Sequence, residues 1–365
     1  MIVYANIYNI YMVEICKKCY NLFEKSENLK RGVIMGLKKL CDTFGVSGYE
    51  KEIRSVIKEE VKELADEILV DDLGNLIAFK KGYGKNKKRI MASAHMDEIG
   101  FQVIKIDDKG FIKVRGLGGI PVIQSIMNRV KFKNGMYGII SNGTDIDGIK
   151  NNIKKLYIDI GATSKEEAEK YVKVGDIASY LGDYIELKGD NVTAKAVDDR
   201  AGCYILIEAL KKIENPYNDV YCVFSVQEEV GLRGATVAAN RIKPEIGIAI
   251  DVTIASDYPN SSEGSNKLGE GTAIKISDGS VICDEYLVEE MISCCQRNNI
   301  KYQLDVIDGG GTDAGAINKS NYGVKSSGIS VATRYVHGPN AFVNMKDIEA
   351  SIELLSEYVN LEFRF

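Results

Sequence analysis

Residues 199–251 read DRAGCYILIEALKKIENPYNDVYCVFSVQEEVGLRGATVAANRIKPEIGIAID. Apolar residues recur at helical spacing over 199–213, and 220–226 is a short β-branched and aromatic run. A second helical pattern covers 233–240, and 246–250 is another apolar run. Helix, strand, helix, strand in close succession is the rhythm of an α/β sheet with crossover helices. Both strands end in acid: Gln227-Glu228-Glu229 after the first, Asp251 after the second.

The rhythm continues toward the C-terminus. A helix is expected over 287–298, a strand over 302–306 leading into Gly309-Gly310-Gly311-Thr312-Asp313, and a strand over 328–332 ahead of His337. A closing helix over 344–359 places Ile348, Ile352, Leu355 and Val359 on its buried face. Toward the N-terminus, a helix over 50–64 precedes strands at 68–70 and 76–79. A strand at 89–94 then runs straight into His95-Met96-Asp97-Glu98. Between 101 and 187 the texture changes to short alternating strands separated by Gly118-Gly119, Asn134-Gly135 and Asn142-Gly143. One helix is expected at 164–172, with Ser164 and Glu167 as a capping box. The fold expected is therefore α/β: a mixed, mostly parallel central sheet with helices on both faces, formed by 35–100 and 188–365. A small all-β domain at 101–187 interrupts it.

Composition bounds the function. The chain has 365 residues, 45% hydrophobic and 27% charged, which suits a globular protein with a sizeable core. Its net charge is −5 without a basic block, which argues against nucleic acid as a partner. No apolar run reaches the roughly 18–20 residues that span a bilayer. The first residues lack a basic stretch and a cleavage site, so the cytoplasm is the expected compartment. Eight cysteines without framework spacing fit reduced thiols, and Cys16-Lys17-Lys18-Cys19 reads as two free thiols. Cys294 and Cys295 fall in a helical pattern and are expected in or near the core. Periodic sequence begins only near Gly36. Lys30-Arg31-Gly32-Val33 is compatible with codons holding a purine-rich ribosome-binding sequence, so translation is expected to start at Met35, with 1–34 an extension.

The chain contains two histidines, His95 and His337, each just past an expected strand. Glu228, Glu229 and Asp251 lie at strand ends too, and Asp198-Asp199 sits just before a helix. Singly, these are ordinary: a lone histidine is usually a hydrogen-bonded core or surface group, and Asp-Asp before a helix is usually a cap. Together they fall where an open α/β sheet binds its ligands, at the carboxyl ends of its strands. Imidazole and carboxylate donors suit zinc, cobalt or manganese. Two histidines and three carboxylates exceed one tetrahedral ion with an open position. They fit two ions about 3.5–4 Å apart that share a carboxylate and activate a water near pH 7. Glu228, beside Glu229, could move the proton.

Six motifs in order carry a resemblance: His95 to Gly100, Val197 to Gly202, Gln227 to Ala235, Asp251-Val252-Thr253, Gly309 to Ala314, and Arg334 to His337. Tyr157 to Ala162 in the inserted segment adds a seventh. This set resembles the glutamyl aminopeptidase or tetrahedral aminopeptidase family of dinuclear metallopeptidases, with a zinc-exopeptidase-like fold. Some members carry the older label endoglucanase or cellulase. The resemblance implies an aminopeptidase that removes N-terminal residues from peptides with a bridging hydroxide. It implies two divalent metal ions, zinc first, with cobalt or manganese as alternatives. His95 and Asp251 would bind one ion and Glu229 and His337 the other. Asp198 would bridge them, Glu228 would be general base and acid, and Asp97 would orient His95. The Gly309 to Ala314 loop would line the cleft. The insert would be a β-barrel dimerisation domain, with dimers assembling into a homo-oligomeric dodecamer. Ile120 after Gly118-Gly119 and the stretch 142–152 depart from the family pattern.

Competing readings are a polysaccharide hydrolase, a related dinuclear carboxypeptidase or deacylase, and a non-enzymatic scaffold. Glycoside hydrolysis uses a carboxylate pair without metals. Here the acids are interleaved with histidines, and the chain has no tryptophan to stack on sugars.

Overall fold

The computed structural model describes residues 36–143, 152–261 and 264–365. The expected extension 1–34, with Cys16 and Cys19, lies outside the described residues, as does the proposed start at Met35. The chain divides into Met1–Lys39 and Leu40–Phe365. Residues 36–39 of the first unit are helical. The second unit carries both sheets.

Strands β1 (Glu67–Val70), β2 (Leu76–Lys80) and β3 (Arg89–His95) come first. Six barrel strands come next: β4 (Gly100–Ile106), β5 (Ile112–Leu117), β6 (Arg129–Phe132), β7 (Tyr137–Asn142), β8 (Leu156–Asp159) and β9 (Ile177–Tyr180). Then come β10 (Ile185–Leu187), β11 (Asn191–Ala194), β12 (Asp219–Ser225), β13 (Ile246–Ile254), β14 (Thr272–Ser277), β15 (Tyr302–Val306), β16 (Lys325–Arg334) and β17 (Ala341–Asn344).

The large sheet is mixed. Its centre, β12-β3-β13-β16, runs parallel, and these strands are buried along nearly their whole length. That is why they read as continuous apolar runs rather than alternating ones. Antiparallel strands complete the edges: β2 and β1 beyond β12, and β17, β11 and β10 beyond β16. β14 pairs antiparallel with β16 and parallel with β15. On one face Met91 and Val223 pack with Ala235, Ala238 and Ala239 of the helix Arg233–Ile242 and with Ile317. The helix Val197–Lys212 packs on β3 and β13 and against the closing helix Met345–Tyr358. Ile348, Ile352, Leu355 and Val359 are buried as expected.

The barrel closes in the order β4-β5-β8-β7-β6-β9. Alternate residues point inward, so Phe101, Val114, Val130, Phe132, Ile140 and Ile158 fill it. It departs from the main sheet straight after His95, at the carboxyl end of β3.

Several local readings change. Ile185–Leu187, read as part of the insert, pairs with β11 in the main sheet. The helix expected over 164–172 is confined to Lys165–Ala168. Ser164 accepts from Glu167 N, while the Glu167 carboxylate accepts from Thr163 N rather than Ser164 N. Asp251 lies inside β13, opposite Ser330, not beyond the strand end. β11, β14 and β17 had no periodic signal. The six described cysteines are free and buried, Cys294 and Cys295 included. Among the described residues, no helix is long and apolar enough to cross a membrane.

Candidate metal centre

β3 has β12 on one side and β13 on the other, so the strand order reverses at its carboxyl end. Such a switch point opens a crevice for ligands. His95, the last residue of β3, lies at its base. Asp251 comes from neighbouring β13, and Glu228 and Glu229 come from the turn after β12. Asp198 and Asp199 stand where the chain enters the helix Val197–Lys212, both with non-helical torsions. His337 comes after β16 with a left-handed backbone, φ 64°.

Asp198 stands between the two imidazoles. Its Oδ1 is 3.1 Å from His95 Nε2, and its Oδ2 is 3.2 Å from His337 Nε2. His95 Nε2 is 3.9 Å from Asp251 Oδ1 and 3.9 Å from Glu228 Oε2. His337 Nε2 is 3.4 Å from Glu229 Oε2. Two donor triads result, His95–Asp198–Asp251 and Asp198–Glu229–His337, each with its ligand atoms within 4.8 Å of one another. They share Asp198.

The far nitrogens of both rings face backbone carbonyls. His95 Nδ1 is 3.1 Å from the Asp97 carbonyl, and His337 Nδ1 is 2.8 Å from that of Gly119. The Asp97 carboxylate is a little more distant from His95 Nδ1, at 3.5 Å. Its closer partners are elsewhere. It accepts from Glu228 N at 3.0 Å, Glu229 N at 3.3 Å and the Ser47 hydroxyl at 2.6 Å. Glu50 accepts from the preceding amide, Gln227 N, at 3.2 Å. Two carboxylates thus hold three successive amides of the turn that carries Glu228 and Glu229. Asp199 accepts from His95 N and Gly202 N, fixing β3 to the helix. Ser47 and Glu50 were not among the sequence candidates, and Asp199 entered only as the neighbour of Asp198, without a role. Asp313, in the glycine-rich loop, lies behind the site, accepting from Ser93 and Ser225.

The electrostatics ask for cations. Burial pushes the Glu229 carboxyl up to about 8 and Asp251 up to about 7, and neighbouring Asp198 adds to both. Burial also raises Glu228 well above the carboxylate range. Burial disfavours the His337 imidazolium, yet Asp198 and Glu229 hold its pKa up at about 10. Asp198 is buried too, but the two histidines keep its pKa below the usual range. Among the described residues, the ion-pair partners of Asp198, Glu228, Glu229 and Asp251 are only these two histidines. Four buried carboxylates against two imidazoles is a costly excess of negative charge. Hard-to-borderline divalent ions would offset it, and the donor types fit them.

A doubly covered α/β sheet with two imidazole–carboxylate triads sharing one aspartate defines a dinuclear metallohydrolase. The family model described as M42 glutamyl aminopeptidase matches residues 74–354. A putative aminopeptidase of Acetivibrio thermocellus is 48% identical over 324 residues, covering 88% of this chain and 97% of that protein. The lysyl aminopeptidase of Pyrococcus furiosus is 32% identical over 331 residues, covering 87% and 94%. Among solved structures, aminopeptidase APDkam598 of Desulfurococcus kamchatkensis superposes with a TM-score of 0.86 at 37% identity, covering 91% and 95%. The Pyrococcus horikoshii TET1 peptidase, which can assemble into a tetrahedron or a large octahedral shell, gives 0.78 at 34% identity, covering 91% and 100%. A Thermotoga maritima protein named endoglucanase gives 0.74 at 34%, covering 89% and 96%. The chain belongs to the M42 glutamyl aminopeptidase family, and it is a metallo-aminopeptidase with a dinuclear metal centre.

Proposed function

We propose that His95 and Asp251 hold one divalent ion, Glu229 and His337 the other, and that Asp198 is shared between them. The observation that carries this is the Asp198 carboxylate, with one oxygen toward each histidine at 3.1 and 3.2 Å. Zinc is the first choice for such a donor set, with cobalt or manganese as alternatives. When bound, the ion pair supplies Lewis acidity toward the scissile carbonyl and acidifies the attacking water.

Glu228 is the general base and acid. It is 9% exposed, and its carboxylate lies 3.9 Å from His95 Nε2. Burial raises its proton affinity, which suits a group that takes a proton from water and returns it to the leaving amine. Asp97, Glu50 and Ser47 keep its backbone in place. The substrates are peptides with free N-termini, and the working compartment is the cytoplasm. The barrel segment within 101–187 serves assembly into a homo-oligomer, dimers building toward a dodecamer as tetrahedral relatives do. The endoglucanase name of one relative finds little support here, because Asp198, Glu228, Glu229 and Asp251 each face an imidazole, as metal ligands and their neighbours would.

Glu228→Gln tests the assignment. It should keep two ions per chain by elemental analysis and lose about 10²–10⁴-fold in turnover of aminoacyl anilides. Undiminished turnover would remove Glu228 as the base.

A further inference from the structure

The turn after β5, Gly118-Gly119, brings the inserted barrel against the metal centre. There the Gly119 carbonyl lies 2.8 Å from His337 Nδ1. A carbonyl oxygen can only accept, so it holds a proton on Nδ1, and Nε2, which faces Asp198 and Glu229, is the nitrogen that would give its lone pair to an ion. His95 receives the same service from its own segment, two residues on. His337 receives it from a different domain, 218 residues away in sequence.

Sterics point the same way. A Cβ on Gly119 would lie 2.9 Å from His337 Nδ1 and 3.0 Å from its Cε1. A Cβ on Gly118 would lie 3.0 Å from Glu229 Oε2 and 2.6 Å from the Ile99 side chain. The two glycines therefore press on both private ligands of the same triad, Glu229 and His337. The nearest atoms that either new Cβ would meet include none of His95 or Asp251.

We infer that the Gly118-Gly119 turn is a positioning element of the Asp198–Glu229–His337 site, so that the insert completes one of the two metal sites. Such carbonyl partners of a ligating imidazole typically govern metal affinity by 10–100-fold. This rests on the reading of the two triads as metal sites.

Gly119→Ala is the probe. Gly119 is exposed and its φ lies outside the left-handed region, so alanine meets no backbone strain there and collides only with the His337 ring. Gly143→Ala, just past β7, where the new Cβ meets no atom of the described residues within 4 Å, is the control. Metal-free wild type, Gly119→Ala and Gly143→Ala are titrated with zinc by calorimetry. Wild type and Gly143→Ala should each show two binding steps. Gly119→Ala should keep one step unchanged and weaken the other by about 10–100-fold. Two unaltered steps in Gly119→Ala would overturn the positioning role while leaving both sites standing. Equal weakening of both steps would overturn it too, since the turn would then act on the fold at large. Fewer than two steps in wild type would instead overturn the two-site reading, and this inference with it.

Discussion

Asp198 divides its carboxylate between the two histidines of the chain, Oδ1 at 3.1 Å from His95 Nε2 and Oδ2 at 3.2 Å from His337 Nε2. Asp251 reaches only the first imidazole, at 3.9 Å. Removing the shared group should therefore cost more than removing a private one. Asp198→Ala is expected to hold about no tight ions per chain and Asp251→Ala about one, each with turnover down at least 10²-fold. Elemental analysis after dialysis reads the difference. Two retained ions in Asp198→Ala would contradict the shared role.

Asp97 offers a second test. Its carboxylate accepts from Glu228 N, Glu229 N and the Ser47 hydroxyl, and all these bonds are closer than its 3.5 Å approach to His95 Nδ1. Asp97→Ala should lower kcat by about 10–100-fold and weaken both metal sites, because the whole Glu228-Glu229 turn loosens. Ser47→Ala, which removes one donor, should do the same more weakly. Calorimetric zinc titration with steady-state kinetics distinguishes this from a purely imidazole-orienting role, in which only the His95 site would weaken.

Stability away from the site turns on Lys275 and Asp305. The two are wholly buried, with Nζ and Oδ2 2.5 Å apart, and Thr253 and Asn266 donate to the other Asp305 oxygen. Lys275→Met leaves a buried carboxylate without its counter-charge, at a cost of about 3–5 kcal/mol. Urea denaturation should show that loss with metal content unchanged. A loss under about 1 kcal/mol would contradict a stabilising role for the pair.

The residues that the sequence marked as candidates were legible for a topological reason. His95, Glu228, Glu229 and His337 lie where strands give way to loops, and an apolar run that stops on a charged group is visible in one dimension. The barrel was legible from its turns. What escaped depends on distant partners. Ser47 and Glu50 act through hydrogen bonds spanning 50 and 177 residues, and no local pattern encodes that. β14 was missed because Lys275 breaks its apolar run, and only Asp305, 30 positions on, makes the lysine tolerable. Ile185–Leu187 alternates like a barrel strand and is exposed throughout, so nothing local says that it pairs with β11 instead. Asp251 looked terminal because acid ended the apolar run, yet β13 continues to Ile254 along β16.

The central claim is that two ions held by His95, Asp198, Glu229, Asp251 and His337 drive removal of N-terminal residues. Metal content per chain, measured beside hydrolysis of an aminoacyl anilide panel before and after chelation, tests it most directly. The account predicts about two ions per chain, activity abolished by chelation, and recovery with zinc or cobalt. Anilide hydrolysis that survives complete removal of metal would contradict it.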